Sequence, residues 1–135
     1  MRYLLDANIV IALHNEPRSL IARRVRRHES HDIGVSAIVL HELYYGSFKS
    51  HRADHNVRVI DALPFEALEF SRDDARHAGE IRAILTNRGT PIGPYDVLIA
   101  GQARARQLTL VTRNTAEFAR VPYLRIEDWS RGKSD

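Results

Sequence analysis

The stretch that decides the fold is PIGPYDVLIAGQARA, residues 91–105. Gly93 is a permissive N-cap, and Pro94 suits the first helical position because proline has no backbone N–H to leave unpaired there. The run VLIAG that follows Asp96 is apolar on every side, which predicts a buried helix rather than a surface one. Asp96 falls in the first turn, where free backbone N–H groups and the helix dipole favour a carboxylate. One interpretation of Asp96 is therefore a simple charge partner of the helix terminus.

The composition favours a globular protein that needs no cross-links. The chain has 135 residues, 44% of them hydrophobic, which is enough for one domain with a buried core. The absence of cysteine excludes disulfides, thiolate metal sites and a cysteine nucleophile, and we expect a cytoplasmic protein. The first apolar run is broken by Asp6 and Asn8 and is too short to cross a membrane. The formal charge of +3, carried mostly by arginine, permits an anionic partner.

Predicted strands and helices alternate along the chain, because short apolar runs alternate with segments of helical spacing and capping residues. The predicted strands cover residues 3–5, 33–36, 67–70, 108–112 and 124–126. The predicted helices cover residues 9–14, 17–29, 37–46, 52–63, 72–88 and 94–105, with a short helical turn at 115–119. Residues 132–135 are expected to form a frayed tail.

This alternation predicts an α/β fold, with helices on both sides of a mostly parallel sheet of about four to five strands, in a single domain over residues 1–135. Such sheets bind ligands at the carboxyl ends of their strands, at a topological switch point. Asp6 and Asn114 come directly after predicted strands. The helices that carry Glu42 and Asp96 can begin at the same edge. The sequence therefore predicts that these four side chains converge.

Several carboxylates in one cleft need a cation, because like charges raise one another's pKa and burial disfavours the charged form. The chain has no cysteine and no convincing histidine cluster, so oxygen ligands favour Mg²⁺ or Mn²⁺. Such an ion can activate a water molecule and hold a phosphate. The implied reaction is phosphodiester hydrolysis.

Four segments carry a resemblance to a known family. They are LLDAN (4–8), SAIVLHELYYG (36–46), GTPIGPYDVLIAGQA (89–103) and LVTRNTAEFARVPYLRIEDW (110–129). In this order and spacing they resemble the PIN-domain ribonucleases, specifically the VapC toxins of bacterial toxin–antitoxin pairs. The resemblance covers essentially the whole chain and implies a PIN-like sandwich and a magnesium-dependent endoribonuclease for structured RNA, commonly transfer RNA. It also implies a small VapB antitoxin that silences the enzyme and binds its own operator DNA. We further expect a homodimer with no membrane partner.

By this resemblance Asp6, Glu42 and Asp96 are the metal-binding and catalytic acids. The chain departs from the family pattern at Ala7, where many relatives have Thr or Ser, and at Asn114, where many have Asp. Asn114 cannot supply charge, so as a catalytic candidate it would orient a water molecule or a ligand carboxylate. Glu117 is then the remaining candidate for a fourth metal-binding acid. Whether Asn114 or Glu117 fills the fourth position stays open, as does a second metal ion.

Arginines supply the candidate substrate contacts. Arg23, Arg24 and Arg113 are predicted to touch RNA phosphates, although the arginine-rich helix at 17–29 also fits a solvated basic face. A noncatalytic RNA-binding module would explain the arginines but not the gathered acids. A phosphotransfer domain would use Asp6 as a nucleophile, but the chain lacks the second acid two residues later that aspartyl-phosphate hydrolases of the haloacid dehalogenase type show.

Aromatic and histidine side chains leave two further alternatives. Tyr44 and Tyr45 either stack on RNA bases or belong to the core or a dimer contact. His51 and His55 have the spacing of two zinc ligands on one helix face, but no third ligand is evident and the HExxH pattern is absent.

Overall fold

The central helix begins where the sequence predicts. In the computed structural model, which describes residues 1–132, Gly93 is the N-cap and Pro94 is the first helical residue. The apolar run from Val97 is buried, as expected for a helix that is hydrophobic on every side. The tail predicted for residues 132–135 lies outside the described residues, apart from Gly132.

Five strands and seven α-helices alternate within residues 1–132. The strands are β1 (Tyr3–Leu5), β2 (Ile33–Ser36), β3 (Glu66–Leu68), β4 (Thr109–Val111) and β5 (Ile126–Glu127). The helices are α1 (Ala7–Asn15), α2 (Leu20–Arg26), α3 (Ala37–Lys49), α4 (Ala53–Asp61), α5 (Arg72–Asn87), α6 (Pro94–Ala105) and α7 (Thr115–Phe118). A 3₁₀ turn (Ser30–Asp32) precedes β2. Across these residues, no helix combines the length and the apolar character needed to cross a membrane.

All five strands are parallel, in the order β3-β2-β1-β4-β5. Leu4 of β1 lies opposite Gly34 of β2 on one side and Leu110 of β4 on the other, so β1 is the central strand. The chain builds outward from β1 to β3 and then returns to place β4 on the other side of β1. This return creates a topological switch point between β1 and β4, and the predicted α/β fold with a parallel sheet is confirmed.

The helices flank the sheet, and their apolar faces and the strands form one hydrophobic core. Helices α5 and α6 approach each other closely at Gly101. A Cβ at this position would lie 2.5 Å from the backbone nitrogen of Ala78, so only a glycine allows the two helices to approach this closely.

A buried ionic network ties the N-terminus of α5 to the C-terminal half of α6. Ser71 and Asp74 form a capping box at the start of α5. The buried Asp74 carboxylate accepts hydrogen bonds from Gln102 Nε2 (3.0 Å) and Arg106 Nη2 (3.0 Å). Both donors also reach the backbone carbonyl of Glu69, at the end of β3. These contacts lower the pKa of Asp74 against the opposing effect of burial.

The predicted bounds of two helices are wrong for local reasons. Helix α2 is shorter than residues 17–29, because the Ser19 side chain accepts a hydrogen bond from the Ala22 N–H (3.2 Å) and starts the helix at Leu20. Helix α3 continues beyond residue 46, because Gly46 does not take the left-handed conformation with which glycine usually ends a helix. The other predicted boundaries differ by at most two residues.

Candidate active site

Asp6 lies at the carboxyl end of the central strand and is the N-cap of α1. Its carboxylate is buried and is held by two hydrogen bonds. Oδ1 accepts from the Ala7 N–H (2.9 Å), and Oδ2 accepts from the Thr112 hydroxyl (2.8 Å). Burial raises the pKa of Asp6, and these two hydrogen bonds oppose the rise. The side chain is therefore fixed in place at the switch point.

Thr112 is the residue that the sequence analysis missed. It is fully buried directly after β4, and its Oγ1 also accepts a hydrogen bond from the Asn114 N–H (2.9 Å). Thr112 thus joins the loop after β4 to the acid after β1. A partial signal was present in the sequence, because a polar residue that ends a buried strand reaches the same sheet edge as Asp6. The contact between the two side chains depends on the β1–β4 register.

Glu42 projects from α3, the helix that follows β2. Its Oε1 atom is buried and has no hydrogen-bond partner among the described residues. Burial raises the pKa of Glu42, and the negative charges of Asp6 and Asp96 raise it further. The His41 side chain partly opposes this rise. A buried oxygen without a partner is unfavourable unless a cation or a donor satisfies it.

Asp96 lies in the first turn of α6, close to the loop that begins the helix. A Cβ at Gly93 would lie 3.2 Å from Asp96 Oδ2, so the carboxylate folds back over the N-cap. Burial, followed by the charges of Asp6 and Glu117, raises the pKa of Asp96 from 3.8 to about 6. This rise is opposite to the effect of the helix dipole alone, because the positive end of a helix stabilises a carboxylate and lowers its pKa.

Asn114 and Glu117 form a pair beside the three acids. Asn114 is the N-cap of α7, and its Nδ2 donates to Glu117 Oε2 at 3.0 Å. The charge of Glu117 reaches Asp96, as the raised pKa of Asp96 shows. Asn114 therefore orients a carboxylate at this edge, and Glu117 is the side chain that carries the charge.

The donor set fits a hard divalent cation. Every candidate ligand is a carboxylate oxygen, and Glu42 Oε1 is buried without a partner among the described residues. Besides burial, the charge of Asp6 raises the pKa of both Glu42 and Asp96. Within residues 1–132, no three His, Cys, Asp or Glu side chains are grouped so that they could enclose one metal ion. This arrangement suits Mg²⁺, which binds one or two carboxylates directly and takes its other ligands from water and substrate phosphates.

The three candidate arginines have different surroundings. Arg24 donates to the backbone carbonyls of Asp128 (3.3 Å) and Arg131 (2.8 Å) and so anchors the segment after β5. Arg113 follows β4 beside the site and forms an ion pair with Glu16 at 3.5 Å. Arg23 is exposed on α2.

The other aromatic and histidine candidates have contacts of their own. The Tyr44 hydroxyl donates to Asp61, whereas Tyr45 is exposed and Lys49 lies over its ring at 5.1 Å. His51 and His55 belong to no metal-binding group within the described part of the chain.

A parallel α/β sheet with acids gathered at its switch point defines an acid-centred hydrolase domain of the PIN type. The family model of the PIN domain matches residues 3–123. The tRNA(fMet)-specific endonuclease VapC of Shigella flexneri is 41% identical over 133 residues, which covers 96% of this chain and 99% of that protein. Ribonuclease VapC2 of Rickettsia felis is 38% identical over 134 residues, which covers 97% of this chain and 100% of that protein.

A solved structure agrees with these relatives. The DNA-bound VapBC structure from Salmonella typhimurium superposes with a TM-score of 0.89 at 40% identity, and covers 96% of this chain and 98% of the compared one. The chain belongs to the PIN-domain family and, within it, to the VapC ribonucleases.

Proposed function

We propose that this protein is a Mg²⁺- or Mn²⁺-dependent endoribonuclease and the toxin of a toxin–antitoxin module. The observation that carries the proposal is the buried Asp6 carboxylate at the switch point together with the Glu42 Oε1 atom, which is buried without a partner among the described residues. Burial raises the pKa of both acids and of Asp96. Folding brings these acids together at a cost in free energy, and cation binding offsets that cost. A noncatalytic RNA-binding module would have no use for this arrangement.

The proposed substrate is a structured RNA such as a transfer RNA. Two relatives that are 41% identical to the chain carry the name tRNA(fMet)-specific endonuclease. The surplus of arginine gives this chain a positive formal charge, which favours association with a polyanion. Arg113 and the exposed Arg23 are the proposed phosphate contacts.

The chain's own residues prepare the site for in-line hydrolysis. One or two of Asp6, Glu42 and Asp96 would bind the cation directly and the others through water, with Glu117 as the proposed fourth acid. Thr112 fixes Asp6, and Asn114 fixes Glu117, so these carboxylates lose little freedom when the substrate binds. When bound, the cation supplies a Lewis acid that polarises the scissile phosphate and favours deprotonation of an attacking water molecule.

Cleavage of transfer RNA by the purified chain tests the proposal. We expect cleavage only with Mg²⁺ or Mn²⁺, and products with a 5′-phosphate and a 3′-hydroxyl. Asp96→Asn removes the charge but keeps the shape, so it should lower the rate by about 10²-fold or more. Asp73→Asn is the matched control, because Asp73 lies in the first turn of α5 and is exposed.

Cleavage that continues in excess chelator, or an Asp96→Asn variant as fast as the wild type, would contradict the proposed chemistry. RNA binding without any cleavage would favour the noncatalytic module instead.

The proposed partner is a VapB-like antitoxin. Solved structures related to the chain are VapBC complexes, two of them bound to DNA. A largely apolar groove with a cavity volume of about 230 Å³ lies between α1, α3 and α4 and includes Ile11, Leu43 and Val59. Glu42 also lines this groove. An antitoxin segment in the groove could therefore bring an arginine or lysine to the acids, and contact between the module and operator DNA would run through the antitoxin.

Coexpression with the neighbouring antitoxin gene tests this partnership. The purified complex should be inactive, and Ile11→Asp should weaken it, because Ile11 is exposed on the groove. Excess Mg²⁺ should compete with inhibition if a basic side chain reaches the acids. An inactive complex that Ile11→Asp leaves unchanged would place the antitoxin elsewhere.

A homodimer is the proposed assembly of the nuclease itself. Tyr45 and Phe48 are exposed large side chains on α3, and they form an apolar surface that a second copy could cover. Light scattering of the purified chain, compared with Phe48→Glu, measures whether this surface joins two copies.

A further inference from the structure

An exposed aromatic pair lies beside the acids. The rings of His41, on α3, and Tyr95, on α6, have centroids 5.4 Å apart and meet edge to face at 60°. Both side chains are exposed, and Tyr95 keeps 45% of its surface accessible. The pair therefore contributes little to the core and presents aromatic surface to solvent.

The position of the pair follows from the two helices that carry the acids. His41 directly precedes Glu42, and Tyr95 directly precedes Asp96. Consecutive Cα atoms lie about 3.8 Å apart, so each ring starts one residue away from a candidate metal-binding carboxylate. Pro94 and the first turn of α6 fix the backbone of Tyr95. The aromatic pair therefore adjoins, along both helices, two of the acids of the proposed active site.

We propose that the aromatic pair stacks on an unpaired RNA base next to the scissile phosphate and thereby helps to select the cleavage position. This inference rests on the proposed ribonuclease function. Sequence-selective RNA binding depends largely on single-stranded loops, whose bases splay out and stack on Tyr, His and other planar side chains. A base held against Tyr95 places its own phosphate near Asp96, which is the geometry that an endonuclease needs.

The environment of Tyr95 differs from that of the other tyrosines near the site. Tyr44 uses its hydroxyl to bind Asp61, and Lys49 lies over the ring of Tyr45. Tyr95 contacts the histidine at an angle, which leaves its ring partly open. A tyrosine has only two side-chain torsions, so it offers a large stacking surface at a low entropic cost.

Fluorescent RNA hairpins test the proposal directly. Each hairpin carries 2-aminopurine at one loop position, because stacking on an aromatic ring quenches this base. The hairpins are titrated with the Asp96→Asn protein in excess chelator, so that cleavage does not interfere with the binding measurement. We expect quenching at one or two loop positions, and we expect Tyr95→Ala to abolish it and weaken binding about 5- to 100-fold. Tyr95→Phe should preserve both signals.

Tyr123→Ala is the matched control. Tyr123 is 95% exposed but lies before β5, at the opposite edge of the sheet from the acids. Its removal should leave quenching and affinity unchanged. A second measurement uses an abasic hairpin that lacks the quenched base. On this hairpin Tyr95→Ala should not weaken binding any further, because the ring and the base form one interaction.

Three results would overturn the proposal. Affinity and quenching that survive Tyr95→Ala would show that the ring contacts no base, and so would equal losses on the normal and abasic hairpins. A Tyr95→Ala protein that changes from dimer to monomer in light scattering would assign the pair to a contact between copies. A different result separates the two proposals: a wild-type protein that quenches the hairpins but cuts no RNA in Mg²⁺ would refute the proposed nuclease function and would support the stacking contact by itself.

Discussion

Replacing Asp96 with asparagine should stabilise the metal-free protein at neutral pH. The pKa of Asp96 rises from 3.8 to about 6 in the folded chain, because burial and the charges of Asp6 and Glu117 disfavour ionisation. If the whole rise in the pKa of Asp96 were a difference between the folded and unfolded states, it would lower the free energy of unfolding by about 3 kcal/mol at pH 7. Since Asp96 is partly exposed, solvent screening reduces this to about 1–2 kcal/mol.

The effect of Asp96→Asn on the free energy of unfolding depends on pH. A carboxyl with a raised pKa holds its proton more tightly in the folded state, so folding is favoured at low pH. This contribution is lost as the pH rises from about 3.8 to about 6, and the loss is complete above that range. The free energy of unfolding of Asp96→Asn should therefore match that of the wild type near pH 3.5 and exceed it by about 1–2 kcal/mol at pH 7.

Thermal unfolding in chelator, followed by circular dichroism at both pH values, measures the difference. For a chain of this size we expect the melting temperature to rise by about 3–10 °C at pH 7. Added Mg²⁺ should stabilise only the wild type, because it binds only the folded site. Asp73→Asn should instead lower stability slightly, since its charge complements the dipole of α5. If Asp96→Asn were destabilising at pH 7, the carboxylate would be a helix-terminal charge and the argument for an acid cluster would fail.

Three other substitutions have defined expectations. Gly101→Ala forces a methyl group into the backbone of α5 and should cost about 1–3 kcal/mol in urea unfolding. Arg106→Leu leaves the buried Asp74 without its cation, so stability should fall above the ordinary pKa of Asp74. The difference from wild type should shrink as acid protonates that carboxyl in pH-dependent melts. Thr112→Val removes the hydroxyl that holds Asp6 and should lower kcat about tenfold with a smaller change in KM, as steady-state RNA cleavage would show.

The sequence was most informative where a local signal decides the structure. The start of α6 depends on Gly93 and Pro94, and the start of α5 depends on the Ser71 cap, so both could be read from a few neighbouring residues. The strands were found because each is a short apolar run bounded by polar residues. Their parallel arrangement followed from the helices between them.

The features that could not be predicted depend on contacts between residues that are far apart in the sequence. Nothing near Gly46 tells whether α3 ends there, because the packing of α3 against α4 continues beyond it. The pairing of Asp74 with Arg106 joins residues 32 positions apart and has no local pattern. Convergence of the acids could be expected from the sheet edge, but the Thr112 hydroxyl that orients Asp6 needed the β1–β4 register.

The hydrogen bond from Thr112 to Asp6 has a consequence for synthesis of the protein. It joins residues 106 positions apart, and β1 gains its β4 neighbour only when residues 109–111 are available. Contacts of such long range form slowly, since a large loop must close before they contribute. A nascent chain emerges from its N-terminus, so it carries Asp6, Glu42 and Asp96 well before the strand that orients them. Translation that stops before β4 therefore releases a chain whose acids have not been assembled into a site.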